Sequence, residues 1–221
     1  DAANLDLAVP APLAGPFYQR GQRCTPPSRL IVQAKIHDVF VERMVEGMKK
    51  LTVDHALKDG TIIGPVVDEN QLAQDERYIQ IARDEGGELA WGGERLNRDT
   101  KGHYLSPALF IGTKNEMRIN REEVFGPVAS VVKVDSYDEA LSVANDTAFG
   151  LSSGIVTTSL KYATDFRKKS AAGMVMVNLA TAGVDYHVPF GGRKGSSYGA
   201  REQGRFAAEF YTSVKTAYTL A

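Results

Sequence analysis

Apolar positions along the chain follow two periods. Ile36, Val39, Phe40, Met44, Met48 and Leu51 recur at the spacing of one helix face, which predicts an amphipathic helix after a short apolar strand at Leu30–Gln33. A second helix is predicted from about Glu69 to Asp84, stopped by Gly86-Gly87, with a strand at Glu88–Trp91 behind it. The run His103–Ile111 alternates weakly and contains Pro107, which cannot donate to a ladder, so it predicts an edge strand or an extended connection. Val128–Val134 is β-branched and reads as a strand. Ser136-Tyr-Asp-Glu139 then forms a capping box that opens a helix with Tyr137, Ala140, Leu141 and Ala144 on its buried stripe. A strand at Ile155–Thr158, a helix capped by Ser159 and a strand at Met174–Val177 complete the pattern. Strand, helix, strand, helix, strand predicts an α/β fold, an open and mostly parallel sheet with covering helices.

The two ends are less regular. Pro10, Pro12 and Pro16 each lack a backbone donor and clash with the preceding turn, so no regular helix is expected between Leu5 and Phe17. Near the other end, the glycine-rich loop Pro189–Gly195 precedes a short helix predicted over Glu202–Glu209. Phe210–Tyr218 alternates in strand fashion, with Val214, Thr216 and Tyr218 on one face. That terminal strand has no neighbour in the local pattern, which predicts pairing across a subunit edge in a homo-oligomer. Residues 1–208 are therefore read as one α/β domain and residues 209–221 as an oligomerisation strand.

Composition narrows the class. With 221 residues, 43 % of them hydrophobic, the chain can bury a sizeable core. The 26 basic and 27 acidic residues leave a formal charge of −1, which gives no electrostatic reason to expect nucleic acid or an anionic membrane as partner. No apolar run approaches the roughly 18 residues of a membrane span, and the opening lacks a signal-peptide layout. One cysteine among 221 residues cannot form an internal disulfide, so a reducing, cytoplasmic setting is expected. The chain opens at Asp1 without a methionine, and its first nine residues read like the interior of a protein, so a fragment or cleaved product is expected.

Candidate chemistry centres on Gly21-Gln22-Arg23-Cys24-Thr25. Arg20 and Arg23 flank the thiol, and nearby cations raise the thiolate fraction; the competing reading is a buried, inert cysteine. Gly150-Leu-Ser152-Ser-Gly154 has the spacing of a serine-nucleophile elbow, but a helix precedes it and a strand follows, the reverse of what that motif needs. Four scattered histidines and one cysteine make no metal site, and no metal is predicted. The basic, glycine-rich stretch Gly191–Gly199 lacks phosphate-loop spacing. Arg121-Glu122-Glu123-Val124-Phe125-Gly126-Pro127 places adjacent carboxylates and an aromatic ahead of a turn into a strand. On its own it reads as a charged surface turn. A cysteine or serine hydrolase using Cys24 or Ser152 and a non-catalytic oligomerisation or binding module both stay open on these residues.

Taken together, Gly21-Gln22-Arg23-Cys24, Glu122-Glu123-Val124-Phe125-Gly126-Pro127, Asn178 and Pro189-Phe190-Gly191-Gly192, in that order, resemble the catalytic part of the aldehyde dehydrogenase superfamily. The run from Asp185 to Gly204 is most similar to α-ketoglutaric semialdehyde dehydrogenases. The resemblance implies that Cys24 is the nucleophile, that its thiolate adds to an aldehyde to give a thiohemiacetal, and that hydride loss to NAD or NADP leaves an acyl thioester for hydrolysis. It implies that the backbone N–H of Cys24 helps hold the oxyanion, that Glu123 holds the nicotinamide ribose hydroxyls and that Phe125 packs beside the nicotinamide. The loop from Ala180 and Thr181 to His187 would border the aldehyde pocket, and Arg23 and Arg20 are candidate ligands for a substrate carboxylate. It also implies that the dinucleotide-binding domain, the water-activating glutamate and the oxyanion asparagine lie upstream of Asp1, so the isolated chain is expected to lack full activity. Where relatives usually carry helix-compatible residues, this chain has Pro10, Pro12, Pro16, Pro26 and Pro27, and it has Ala180 and Ala200 where proline is common.

Overall fold

The computed structural model describes residues 4–221. Its first elements are two short helices, α1 (Leu5–Ala8) and α2 (Pro10–Ala14), parted at Val9. Pro10 sits at the head of α2, where a missing N–H costs no hydrogen bond. The expectation of an irregular opening is thus corrected to a helix broken in two. A 3-10 turn at Tyr18–Gly21 leads to β1 (Arg29–Gln33) and α3 (Ala34–Lys49).

Then come α4 (Glu69–Asp84), β2 (Glu88–Trp91), β3 (Ala108–Thr113), α5 (Arg118–Arg121) and β4 (Val128–Val134). The Asp68 side chain accepts from the Gln71 N–H at 2.9 Å and so fixes the start of α4. These strands form one sheet in the order β1-β4-β3-β2, with β1 and β3 parallel to β4 and β2 antiparallel to β3. Because β3 is interior, the edge-strand expectation for its region is corrected. Pro107 lies one residue ahead of the strand, so every position of β3 keeps its ladder donor. Alternation along β3 and β4 divides the core. Leu109, Ala129 and Val131 pack with Phe40, Met44 and Met48 of α3, whereas Ala108, Phe110 and Val128 pack with Leu72, Ile79 and Ala82 of α4. The two long helices therefore cover opposite faces of the sheet.

The last third holds α6 (Tyr137–Asn145), β5 (Ser152–Ile155), α7 (Leu160–Lys169) and β6 (Met174–Val177). Ser136 Oγ accepts from the Glu139 N–H at 3.1 Å, and the Glu139 carboxylate accepts from the Asp135 N–H at 2.8 Å, a capping box reaching one residue further back than usual. β5 begins three residues before the predicted strand and pairs in parallel with β6 as a separate two-stranded sheet. The expected strand–helix–strand run therefore crosses from one sheet to another.

A 3-10 turn at Gly204–Phe206 continues into α8 (Ala207–Tyr211), which crosses the boundary expected at residue 208. Phe210 and Tyr211 are thus helical, which corrects the start of the expected strand, and residues 212–221 form no regular structure in the single chain. A strand needs an edge to pair with, and this tail runs exposed in the single chain, with Val214, Tyr218 and Leu220 almost wholly open. Among the described residues no helix is long and apolar enough to cross a membrane, and no cluster of potential metal ligands forms.

Candidate active site

Cys24 stands on an irregular loop whose rigidity comes from what surrounds it. Pro16 and Phe17 are fully buried and anchor its start. Gln19, Arg20 and Gly21 then follow with φ of +58°, +64° and +66°, a left-handed run that only Gly21 adopts without side-chain strain. Gly21 is required for a second reason. A Cβ there would lie 2.0 Å from the Gly126 carbonyl oxygen and 2.8 Å from that of Pro16. On one flank, Arg20 Nη1 donates to the Pro65 carbonyl at 3.1 Å, and Gln22 Oε1 accepts from the Val67 N–H at 3.1 Å. On the other, Ser152 Oγ donates to the Thr25 carbonyl at 3.1 Å. Thr25 is buried between these ties, while Cys24 and Arg23 are exposed. Cys24 is thus exposed in this chain, against the reading of a buried thiol.

The structure brings the acidic motif to the same place. Glu122 to Gly126 alternate in burial, with Val124 and Gly126 buried and Glu123 and Phe125 exposed. The two carboxylates thereby separate. Glu122 turns inward, accepts from Arg118 at 2.9 and 3.0 Å and from the Tyr78 hydroxyl at 2.6 Å, and is held down to about 2 by Arg118 first and Tyr78 second. Among the described residues Glu123 makes no hydrogen bond or ion pair. Phe125 takes φ of +59°, a strained value for an aromatic residue, and Gly126 directly behind it touches Gly21. The Cys24 loop and the acidic motif are thus joined backbone to backbone.

Support for this junction comes from α4. Gln71 and Gln74 both donate to the Val124 carbonyl, at 3.2 and 2.8 Å. Asp75, fully buried, lies against Gly126. One signal of this role is readable in the sequence, since Asp75 falls on the apolar stripe Leu72, Asp75, Ile79, Ala82 where a carboxylate does not belong.

Ser152 occupies the first position of β5, not a strand-to-helix elbow, and its hydroxyl is spent on Thr25. Two residues on, a Cβ at Gly154 would lie 3.0 Å from the Thr181 methyl. Ser152 and Gly154 face the same way, so the Cys24 loop and the Ala180–Thr181 loop lie against one face of β5, about 7 Å apart along it. Ala180 is half-buried, and Thr181 is buried with an Oγ1 that has no hydrogen-bond partner among the described residues. Arg20 is committed to main-chain carbonyls, and Arg23 has none of these ties. Asn178 is structural: its side chain accepts from the Thr157 N–H at 2.8 Å and donates to the Thr157 carbonyl at 3.0 Å. Gly191 and Gly192 pack under Gly173 and against Leu151 where a side chain would not fit.

Residues 1–217 match the aldehyde dehydrogenase family. The chain belongs to that family. It is 41 % identical over 220 residues to an alpha-ketoglutaric semialdehyde dehydrogenase of Bacillus subtilis, covering 99 % of this chain and 45 % of that protein. A 2,5-dioxopentanoate dehydrogenase of Saccharolobus solfataricus is 38 % identical over 98 % of the chain and 45 % of its own length. Among solved structures, betaine aldehyde dehydrogenase from Staphylococcus aureus in complex with NAD+ superposes with a TM-score of 0.91 at 32 % identity, over 96 % of this chain and 42 % of that one. An NAD-dependent aldehyde dehydrogenase from Sinorhizobium meliloti gives 0.92 at 34 %, over 97 % and 42 %. The chain thus spans about half the length of the aldehyde dehydrogenases it matches.

Proposed function

We propose that this chain is the catalytic region of an NAD(P)-dependent aldehyde dehydrogenase acting on a dicarboxylic semialdehyde such as α-ketoglutaric semialdehyde. The observation that carries the reading is the contact of Gly21 with Gly126, which joins the loop of the exposed Cys24 to the motif that bears the exposed Glu123 and Phe125. The relatives named for α-ketoglutaric semialdehyde support the substrate class. A second S. aureus structure, whose cysteine is BME-modified, supports a reactive thiol in the family.

In this reading the Cys24 thiolate adds to the aldehyde carbon, and the backbone N–H of Cys24 steadies the oxyanion that forms. NAD or NADP, when bound, accepts the hydride. Glu123 suits such a cofactor, since an unpartnered, exposed carboxylate can accept from two ribose hydroxyls, and Phe125 beside it offers an open ring, 38 % exposed, as a wall. The acyl group left on Cys24 is released by water. Thr181 Oγ1, buried and unpaired, is a donor for the substrate's polar end, and Arg23 is the cation free to meet its distal carboxylate. The unpaired tail from Thr212 onward suits a homo-oligomer in which it adds to a second copy, in a cytoplasmic setting.

The test uses the full-length protein. Aldehyde-dependent NADH or NADPH formation together with rapid alkylation of Cys24 supports the reading. A reactive Cys24 without reduced cofactor favours a cysteine hydrolase, and a slow, inert thiol favours a non-catalytic module.

A further inference from the structure

The group of greatest interest outside the proposed chemistry is Asp75, a carboxyl with no solvent exposure in the middle of α4. Its Oδ1 accepts from Gln71 Nε2 at 2.7 Å, and its Oδ2 is buried with no partner. Such an orphan is uncommon in a folded protein and is costly to keep. What it touches is informative. A Cβ at Gly126 would lie 2.0 Å from Oδ1 and 2.6 Å from Oδ2, so the carboxyl packs directly on that α-carbon. The carbonyl of the same Gly126 meets Gly21. Carboxyl, glycine and glycine are thus in successive contact, with no flexible side chain between them to absorb a change. The same Gln71 that binds Asp75 also holds the Val124 carbonyl, on the other side of the strained Phe125.

We propose that Asp75 is a positioning residue for the Cys24 loop and the Phe125 turn, acting through the backbone of Gly126 and Gly21. The claim depends on the proposed function only for the role it gives Cys24. The charges around Asp75 are engaged elsewhere. On α4, Glu76 pairs with Arg95, and Tyr78 binds Glu122, which also pairs with Arg118. On the acidic motif Glu123 faces solvent, and on the cysteine loop Arg20 binds Pro65 while Arg23 is exposed. Among the described residues no cation pairs with the carboxyl. Burial pushes it up to about 7, the Gln71 hydrogen bond opposes this, and the like charge of Glu76 adds to it.

The sign follows from linkage. The closed junction keeps a proton on Asp75 that an opened, hydrated Asp75, with the ordinary value of 3.8, gives up. Opening therefore becomes easier as pH rises between those two values and levels off above the higher one. Amide hydrogen exchange of the full-length protein, corrected for the chemical effect of pH, reads this directly whether or not Cys24 is reactive. For residues 16–28 and 122–128 the opening constant is expected to climb by up to about tenfold per pH unit between about pH 5 and 7, then flatten. Asp75→Asn, which keeps shape and the acceptor for Gln71 but cannot ionise, is expected to abolish the slope. Amides of β3 and β4 that exchange only through global unfolding, which ionises Asp75 as well, are expected to share the slope but at a smaller opening constant. A flat wild-type profile, an unchanged slope in Asp75→Asn, or loop amides that open only together with β3 and β4 would each overturn the proposal. Should Asp75→Asn not fold, the wild-type comparison of the two loops with β3 and β4 still decides.

Discussion

Replacing Gly21 by alanine tests the junction of the Cys24 loop and the acidic motif with one methyl group. The cost has two parts. A left-handed φ of +66° penalises any L side chain by about 1–2 kcal/mol. The new Cβ would also lie 2.0 Å from the Gly126 oxygen, 2.6 Å from its carbonyl carbon and 2.8 Å from the Pro16 oxygen. All three are main-chain atoms, so no rotamer change relieves the overlap, and overpacking of this kind adds about 1–3 kcal/mol. The sum, roughly 2–5 kcal/mol, is a large share of the roughly 5–15 kcal/mol that holds a typical domain folded. Gly60 provides the control. Its φ is +78°, but a Cβ there meets nothing within 4 Å, so Gly60→Ala carries only the conformational part, about 1–2 kcal/mol. Urea unfolding followed through Trp91, the single tryptophan, compares the two variants, and alkylation of Cys24 reports whether the loop has moved. Gly21→Ala is expected to be at least about 1 kcal/mol less stable than Gly60→Ala and to change the alkylation rate. Equal stabilities with an unaltered thiol would refute the packed Gly21–Gly126 contact.

Three further outcomes follow from the same geometry. Ser152→Ala removes the donor to the buried Thr25 carbonyl and is expected to cost about 1 kcal/mol in urea unfolding while leaving measurable aldehyde oxidation, whereas complete loss of turnover would restore Ser152 as a nucleophile. Asp75→Asn should gain on the wild type as pH rises from 4 to 8, by roughly 3–4 kcal/mol, because a carboxyl raised in the folded state loses stability through that range; unfolding curves at the two pH values check this. Glu122 has the opposite sign, so its contribution is present above 4.5 and lost as pH falls toward about 2. Its half-exposed pairing with Arg118 keeps the effect of Glu122→Gln at neutral pH below about 1 kcal/mol, measurable as the shift in urea midpoint.

The long helices and most strands could be read from periodicity because their apolar stripes are continuous. α4 and β4 begin and end where the caps and β-branched runs place them. β5 could not be read this way. Ser152, Ser153 and Gly154 have little strand preference, and their pairing with β6 imposes the strand. Phe210 to Tyr218 alternates convincingly yet forms no strand in one chain, since alternation states which face is apolar and not whether an edge is available. At the site, Cys24, Glu123 and Phe125 were legible as motifs. Their supports were not: nothing local to Gly21, Gly126 or Asp75 reveals that three residues so far apart in the chain touch in series. The G-x-S-x-G spacing drew attention to Ser152, but for a role its place on β5 rules out.

In the proposed function Cys24 carries the acyl group of the substrate. Full-length protein mixed with α-ketoglutaric semialdehyde and NAD+, quenched in acid within a turnover and digested, is expected to show the acyl mass on the peptide containing Cys24. Cys24→Ser is expected to show neither the adduct nor aldehyde-dependent NADH. Undiminished NADH formation by Cys24→Ser, or an adduct on any other residue, would contradict the account.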